Sequence, residues 1–140
     1  VMAINDRKPV LEQCFTEKYG TYQCVLKARE ALTRLCGRTV PDVTIEQVMR
    51  EGTADAAPEY VQVIREAAAD YAAEIMRKLR EHEYDPKTMR LWIVGGGGCL
   101  IRNFGQYDPN RVTIIGDIHA SAKGYEYLAE RHLQREARAR

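Results

Sequence analysis

The spacing of hydrophobic and polar positions changes several times along this chain, and each change marks an element. From Tyr22 to Cys36, residues Val25, Leu26, Ala28, Leu32 and Leu35 recur at helical spacing, and Gly37 stands where such a helix stops. Thr21 is placed to cap its start. After Pro41, Thr44-Ile45-Glu46-Gln47 has the spacing of a capping box and opens a short helix that Gly52 closes. The longest periodic run, about Pro58 to His82, puts Val61, Ile64, Ala68, Tyr71, Ile75 and Leu79 on one face. Its alanines, Ala67, Ala68, Ala69, Ala72 and Ala73, suit close packing on a sheet, and Tyr84-Asp85-Pro86 ends it.

The runs on either side read as strands by length and composition. Leu91 to Val94 and Arg111 to Ile115 are short β-rich runs, with a helix expected from Cys99 to Phe104 between them and a polar turn through Asp108-Pro109-Asn110. A last helix follows Gly116-Asp117, with Asp117 as its expected N-cap, and the charged tail from Arg131 to Arg140 is expected to fray. At the other end, Val1 to Ile4 and Val10 to Phe15 read as two strands joined by a turn at Asn5-Asp6-Arg7-Lys8. The pattern predicts an α/β chain, one domain over residues 1–140: an N-terminal β-hairpin, helices, then β-α-β-α around a mixed sheet.

One stretch stands apart chemically. Leu91 to Val94 runs into four consecutive glycines, Gly95, Gly96, Gly97 and Gly98, before Cys99-Leu100-Ile101. Backbone without Cβ atoms admits positive φ and lets another group approach closely. A helix starting there points its unpaired N–H groups at the same spot, which suits a phosphorylated ligand. A dinucleotide fingerprint needs Gly or Ala at the last place of G-x-G-x-x-G, and that place falls on Leu100 or Ile101. A Walker A loop is excluded because no Lys-Ser or Lys-Thr follows the glycines.

Composition narrows the rest. Lys and Arg number 21 against 20 Asp and Glu, so no global field attracts nucleic acid, and the basic residues are not interleaved with aromatics. No apolar run approaches the ~20 residues of a membrane span, and no signal peptide is visible. Cys14, Cys24, Cys36 and Cys99 form no C-x-x-C pair, which suits reduced thiols in the cytoplasm. His119, beside Asp117, matches no compact metal spacing, and no nucleophilic constellation is visible.

Two segments also carry a resemblance. Val94-Gly95-Gly96-Gly97-Gly98-Cys99-Leu100-Ile101 resembles the adenosine motif of the actin, sugar-kinase and heat-shock-chaperone superfamily. Asp117-Ile118-His119-Ala120-Ser121-Ala122-Lys123-Gly124-Tyr125-Glu126 is similar to the closing helix of bacterial actin-like plasmid-segregation ATPases, the ParM/StbA family. Met2-Ala3-Ile4-Asn5-Asp6-Arg7-Lys8-Pro9 resembles the hairpin that follows that family's phosphate loop, and Gly20-Thr21 the start of its next helix. The resemblance covers nearly the whole chain.

It implies a partial actin-type, RNase H-like lobe whose mixed sheet lacks its first strand, about the last third of such a protein. Opening on Val1 instead of Met fits an excised piece. The intact protein would bind ATP with Mg2+, polymerise, and segregate plasmid or mobile-element DNA reached through an adaptor protein. By position, Gly95 to Gly98 would line the floor beneath ribose and phosphates. Arg50 and Glu51 would supply a basic–acidic pair at ribose and base, and Ala120, Ser121, Ala122 and Gly124 would pack at the interdomain hinge. Both Asp-Gly phosphate loops are missing, so these residues alone are not expected to hydrolyse ATP, and no residue here takes a catalytic role. The alternatives are a nucleotide-independent filament or interaction module of the same fold, and a Rossmann-type NAD-dependent oxidoreductase. A sheet lacking a central strand is also expected to recruit one, from its own N-terminal hairpin or from a second copy swapped through Val1–Ile4.

Overall fold

The computed structural model describes residues 1–139. In chain order the elements are β1 (Ile4–Asn5), β2 (Lys8–Pro9), α1 (Thr21–Cys36), α2 (Asp42–Glu51), α3 (Pro58–Glu81), β3 (Leu91–Val94), α4 (Gly98–Phe104), β4 (Val112–Ile115) and α5 (Ala120–Ala139). The chain is α/β, but its strands form two separate two-stranded sheets, an antiparallel β1–β2 hairpin and a parallel β3–β4 pair. The expected mixed sheet is thus divided, and the hairpin does not pair with β3.

Burial of apolar side chains on α1, α2 and α3 holds the molecule together. Cys24, Val25, Ala28 and Leu32 of α1 meet Ile45, Val48 and Met49 of α2 and Ile64, Ala68 and Tyr71 of α3, with Leu100 of α4 completing the cluster. Leu26 and Leu35, assigned to the buried stripe of α1, are exposed. For Leu26 the reason is angular, since it lies about 100° around the helix from Val25. On α3, Met76 is buried where Ile75 was expected, and Ile75 is half-buried. The small side chains of α3 bring it close to other helices, chiefly α1, and not to a sheet.

Three local expectations change. Residues Val10 to Phe15 do not form a continuous return strand. Val10 N–H donates to Ala3 O at 2.9 Å and Phe15 N–H to Val1 O at 3.1 Å, but Leu11–Gln13 between them curl into a 3-10 turn. The turn at Asp6 and Arg7 does form, with φ of 47° and 62°. Helix α2 starts at Asp42, two residues before the expected capping box, and its N-cap is Pro41 with no side-chain cap. Arg29 of α1 pairs with Asp42 there, so the charge at the helix start is satisfied between helices. Likewise α1 starts at Thr21 itself, with Gly20 as N-cap.

The parallel pair is in register from Leu91↔Val112 to Val94↔Ile115, and α4 crosses between the strands. One face of the pair lies under α4; on the other, Trp92 is 62% and Val94 46% exposed. Helix α5 continues to Ala139, with Arg140 of the expected fraying tail outside the described residues. Tyr125, Tyr127, Leu128 and Leu133 are all exposed, and among the described residues α5 packs extensively against no other element. Among the described residues no helix is long and apolar enough to cross a membrane.

Candidate functional site

The glycine run forms the turn from β3 into α4, at the C-terminal end of a parallel pair, where open α/β sheets hold their ligands. Gly95 N–H donates to Ile115 O of β4 at 3.1 Å, and Gly98 N–H donates back to Gly95 O at 3.0 Å, which closes the turn. Helix α4 begins at Gly98, one residue earlier than expected.

The four glycines divide by what the fold requires of them. Gly95 has φ +97°, a conformation that L side chains rarely adopt. Gly98 is buried, and a Cβ there would stand 2.8 Å from Ile114 Cγ2, so close packing of α4 on β4 disfavours any side chain, while Ile93 Cγ2 of β3 would be at ordinary contact, 3.9 Å. Gly96 and Gly97 are different. A Cβ at either would be 3.8 Å from its nearest neighbour, Ile118 Cγ2 or Thr21 Cγ2, which is ordinary contact. Gly97 has right-handed helical φ and ψ of −66° and −14°. Both residues are exposed. No steric contact and no positive φ calls for glycine at these two positions, and of the two only Gly97, the N-cap of α4, stands where glycine is favoured over alanine.

Those neighbours outline the mouth of the site. Thr21 opens the 16-residue α1, whose N-cap offers no side-chain hydrogen bond, so the first turn of α1 stands beside the first turn of α4. On the other side the segment after β4 folds against Gly96 through Ile118. Its Asp117 accepts from His119 N–H at 2.8 Å and pairs with Lys123 Nζ at 2.7 Å. The Lys123 ammonium, then the His119 N–H, hold the Asp117 carboxyl below its ordinary range. Helix α5 begins at Ala120, so Asp117 caps the turn before the helix and not the helix itself. Sequence reasoning assigned Thr21 and Asp117 only as caps, because the nearness of three chain-distant segments leaves no local signal.

Other expected site residues lie elsewhere. Arg50 and Glu51 end α2 and pair with each other at 3.5 Å, with Arg50 61% exposed. Their stretch is tied to α4 by Asn103, whose amide donates to Met49 O at 3.0 Å and Arg50 O at 2.8 Å. Asn103 is five residues past Gly98, about 8 Å along the helix axis, so the pair and the glycine turn stand at opposite ends of α4. Ser121, Ala122 and Gly124 of α5 are exposed, and a Cβ at Gly124 would meet nothing within 4 Å. Among the described residues no three His, Cys, Asp or Glu side chains gather to hold a metal.

A polar cluster that the sequence did not suggest joins α1 and α3. Tyr19 Oη donates to Glu74 Oε1 at 3.1 Å, and Lys27 pairs with the other Glu74 oxygen. Lys27 Nζ also lies 5.1 Å from the centre of the Tyr71 ring. Burial pushes the Tyr71 phenol and the Cys24 thiol up to about 12 each. Lys27 holds the Glu74 carboxyl below its ordinary range. A cavity of about 280 Å³ opens here, and a second of about 220 Å³ lies near Phe15 and His82. Comparison of the chain with protein families, with curated proteins and with solved structures finds no match.

Proposed function

We propose that this chain is the adenosine-side nucleotide-binding lobe of a cytoplasmic actin-like ATPase, one that polymerises with ATP and Mg2+ to segregate plasmid or mobile-element DNA through an adaptor protein. One observation carries the nucleotide part. Gly96 and Gly97 are exposed, unstrained and sterically free, yet lack side chains at a loop bounded by two helix N-termini. Glycine in an ordinary conformation costs about 0.5–1 kcal/mol relative to alanine through lost chain entropy. A ligand lying on the bare backbone accounts for two such residues side by side, whereas the helix N-cap accounts for Gly97 alone. Helix N-terminal N–H groups favour an anion there. Arg50 and Glu51, at the far end of α4, would meet the base only if the ligand extends along that helix.

The discriminating experiment is titration of ATP with Mg2+ into the chain and into Gly97→Val, with a thermal melt of each. The variant is expected to fold and to lose binding at least tenfold, because the branched side chain occupies the ligand's space. Equal binding by the variant would make the glycine run structural and end this reading.

The second reading, an interaction module of the same fold that works without nucleotide, is favoured by the uncovered apolar surfaces of β3 and α5. Self-association, including a strand-swapped dimer, belongs to either reading. The oxidoreductase alternative gains no support: the close helix–strand approach is made at Gly98 and not at the last place of a dinucleotide fingerprint.

A further inference from the structure

Between the hairpin and α1, residues 14–20 run without helix or strand along the C-terminal half of α3. Gln13 Nε2 donates to Glu83 Oε2 at 3.0 Å. The Phe15 ring stacks on His82, centroids 3.6 Å apart and planes 11° from parallel. Glu17 lies 3.4 Å from Lys78 Nζ and 3.6 Å from His82 Nε2. Tyr19 bonds Glu74, and Gly20 O accepts from Tyr71 Oη at 3.0 Å. From Cys14 the backbone is extended, and the anchors 15, 17 and 19 alternate at the period of an extended chain, while Gln13 reaches Glu83 from the 3-10 turn. The partners of 19, 17 and 15 are Glu74, Lys78 and His82, four residues apart along α3 and its C-cap. The extended segment therefore lies antiparallel to α3 and grips it with every second side chain.

What ties this segment down is side chain only. Among the described residues no backbone–backbone hydrogen bond joins residues 1–19 to any helix. Its own backbone bonds close locally, Val10 to Ala3, Cys14 to Leu11 and Phe15 to Val1. The two cavities both lie on this one seam, with Glu17 to Tyr19 lining one and Glu12 to Phe15 the other. The Glu17–Lys78 ion pair along it is partly exposed, and such pairs contribute little. A self-contained unit that is held by side chains over an unfilled seam opens before the core it rests on.

We propose that residues 10–19, carrying the β1–β2 hairpin, form a strap that opens from α3 as one unit about Gly20 while the helical core stays folded. Opening bares the Glu74–Lys78–His82 stripe and the Phe15 ring. The hinge adjoins Thr21, which walls the glycine loop, so strap and loop share a border. The inference stands whether or not that loop binds nucleotide.

The test is native-state proteolysis of the whole chain by chymotrypsin, with initial cleavage after Phe15 followed by mass spectrometry at urea concentrations below the global transition. The protease reaches that bond only when the ring leaves His82. Cleavage is expected to depend weakly on urea, because strap opening exposes little surface compared with unfolding. His82→Ala removes the stacked partner and should speed this cleavage about 3- to 10-fold. Glu83→Ala, an exposed change outside α3, should also speed it and serves if His82→Ala compromises folding. A urea dependence as steep as that of global unfolding would overturn the strap, as would unchanged cleavage in folded variants.

Discussion

Alanine substituted in turn at Gly95, Gly96, Gly97 and Gly98 should give effects that change sign within four residues. At Gly98 the new methyl would overlap Ile114 Cγ2 at 2.8 Å. That atom sits on a β-branched side chain in a strand, which is stiff at χ1 and cannot swing aside. Overpacking of this kind costs about 1–3 kcal/mol, offset by up to about 1 kcal/mol of better helix propensity. A net loss of about 1–2 kcal/mol is expected. At Gly95 the φ of +97° imposes about 1–3 kcal/mol of backbone strain on any L side chain. At Gly96 and Gly97 the Cβ meets its neighbours at 3.8 Å, so alanine at Gly96 should be neutral or stabilise by up to about 1 kcal/mol through reduced freedom of the unfolded chain, and at Gly97, the N-cap of α4, that gain is offset and the change should be near neutral. Urea unfolding followed by far-ultraviolet circular dichroism measures all four as midpoint shifts at constant m-value. In a melt, 1 kcal/mol corresponds to roughly 4 °C for a chain of this size. A Gly98→Ala variant as stable as the parent would refute the packing argument. Gly97→Ala as costly as Gly98→Ala would refute the division of the loop into required and free glycines.

Two further outcomes follow from the α1–α3 cluster. The Glu74 carboxyl is held below its ordinary 4.5, first by Lys27 and, against the opposing pull of burial, by Tyr19. Its contribution to stability is therefore present above about pH 4.5 and fades as pH falls through the lower folded value. Glu74→Gln should lower the melting temperature at neutral pH and converge with the parent in acid, and parallel curves would contradict this. Burial that lifts the Cys24 thiol to about 12 should keep it from alkylation at pH 8 in native buffer, whereas peptide mapping finds it labelled in denaturing urea. Labelling at equal rates in both would show Cys24 to be accessible.

The helices were legible because each stripe of Val, Leu, Ile and Ala repeats at the period that packing enforces, and Gly37 and Gly52 end α1 and α2 as their positions implied. Strands β3 and β4 were legible as short apolar, β-rich runs; length and composition marked Leu91 to Val94 as a buried strand, but only one face is covered, and Trp92 and Val94 are exposed. Helix starts were less so: Thr44 looked like a cap, but the Arg29–Asp42 pair, invisible to local spacing, fixes the start of α2. Val10 to Phe15 misled because the same apolar residues serve a strand or a 3-10 turn. The strap's alternation was hidden because Phe15, Glu17 and Tyr19 share position without sharing polarity. Of the glycine site, the loop was readable from four adjacent letters. Its walls, Thr21 and Ile118, come from opposite ends of the chain and become neighbours only on folding.

The outward face of β3 gives the molecule a private optical signal. Trp92 is the sole indole in the chain and is 62% exposed on that face, outside the helical core cluster. Its emission is blind to most of what unfolding does to α1, α2 and α3, because the ring is solvated before and after. It is correspondingly sensitive to anything that lies down on the open sheet, since a dry contact there blue-shifts the one fluorophore of its kind. Assembly and unfolding thus report through different spectroscopies, and a titration against the chain's own concentration separates them without a label.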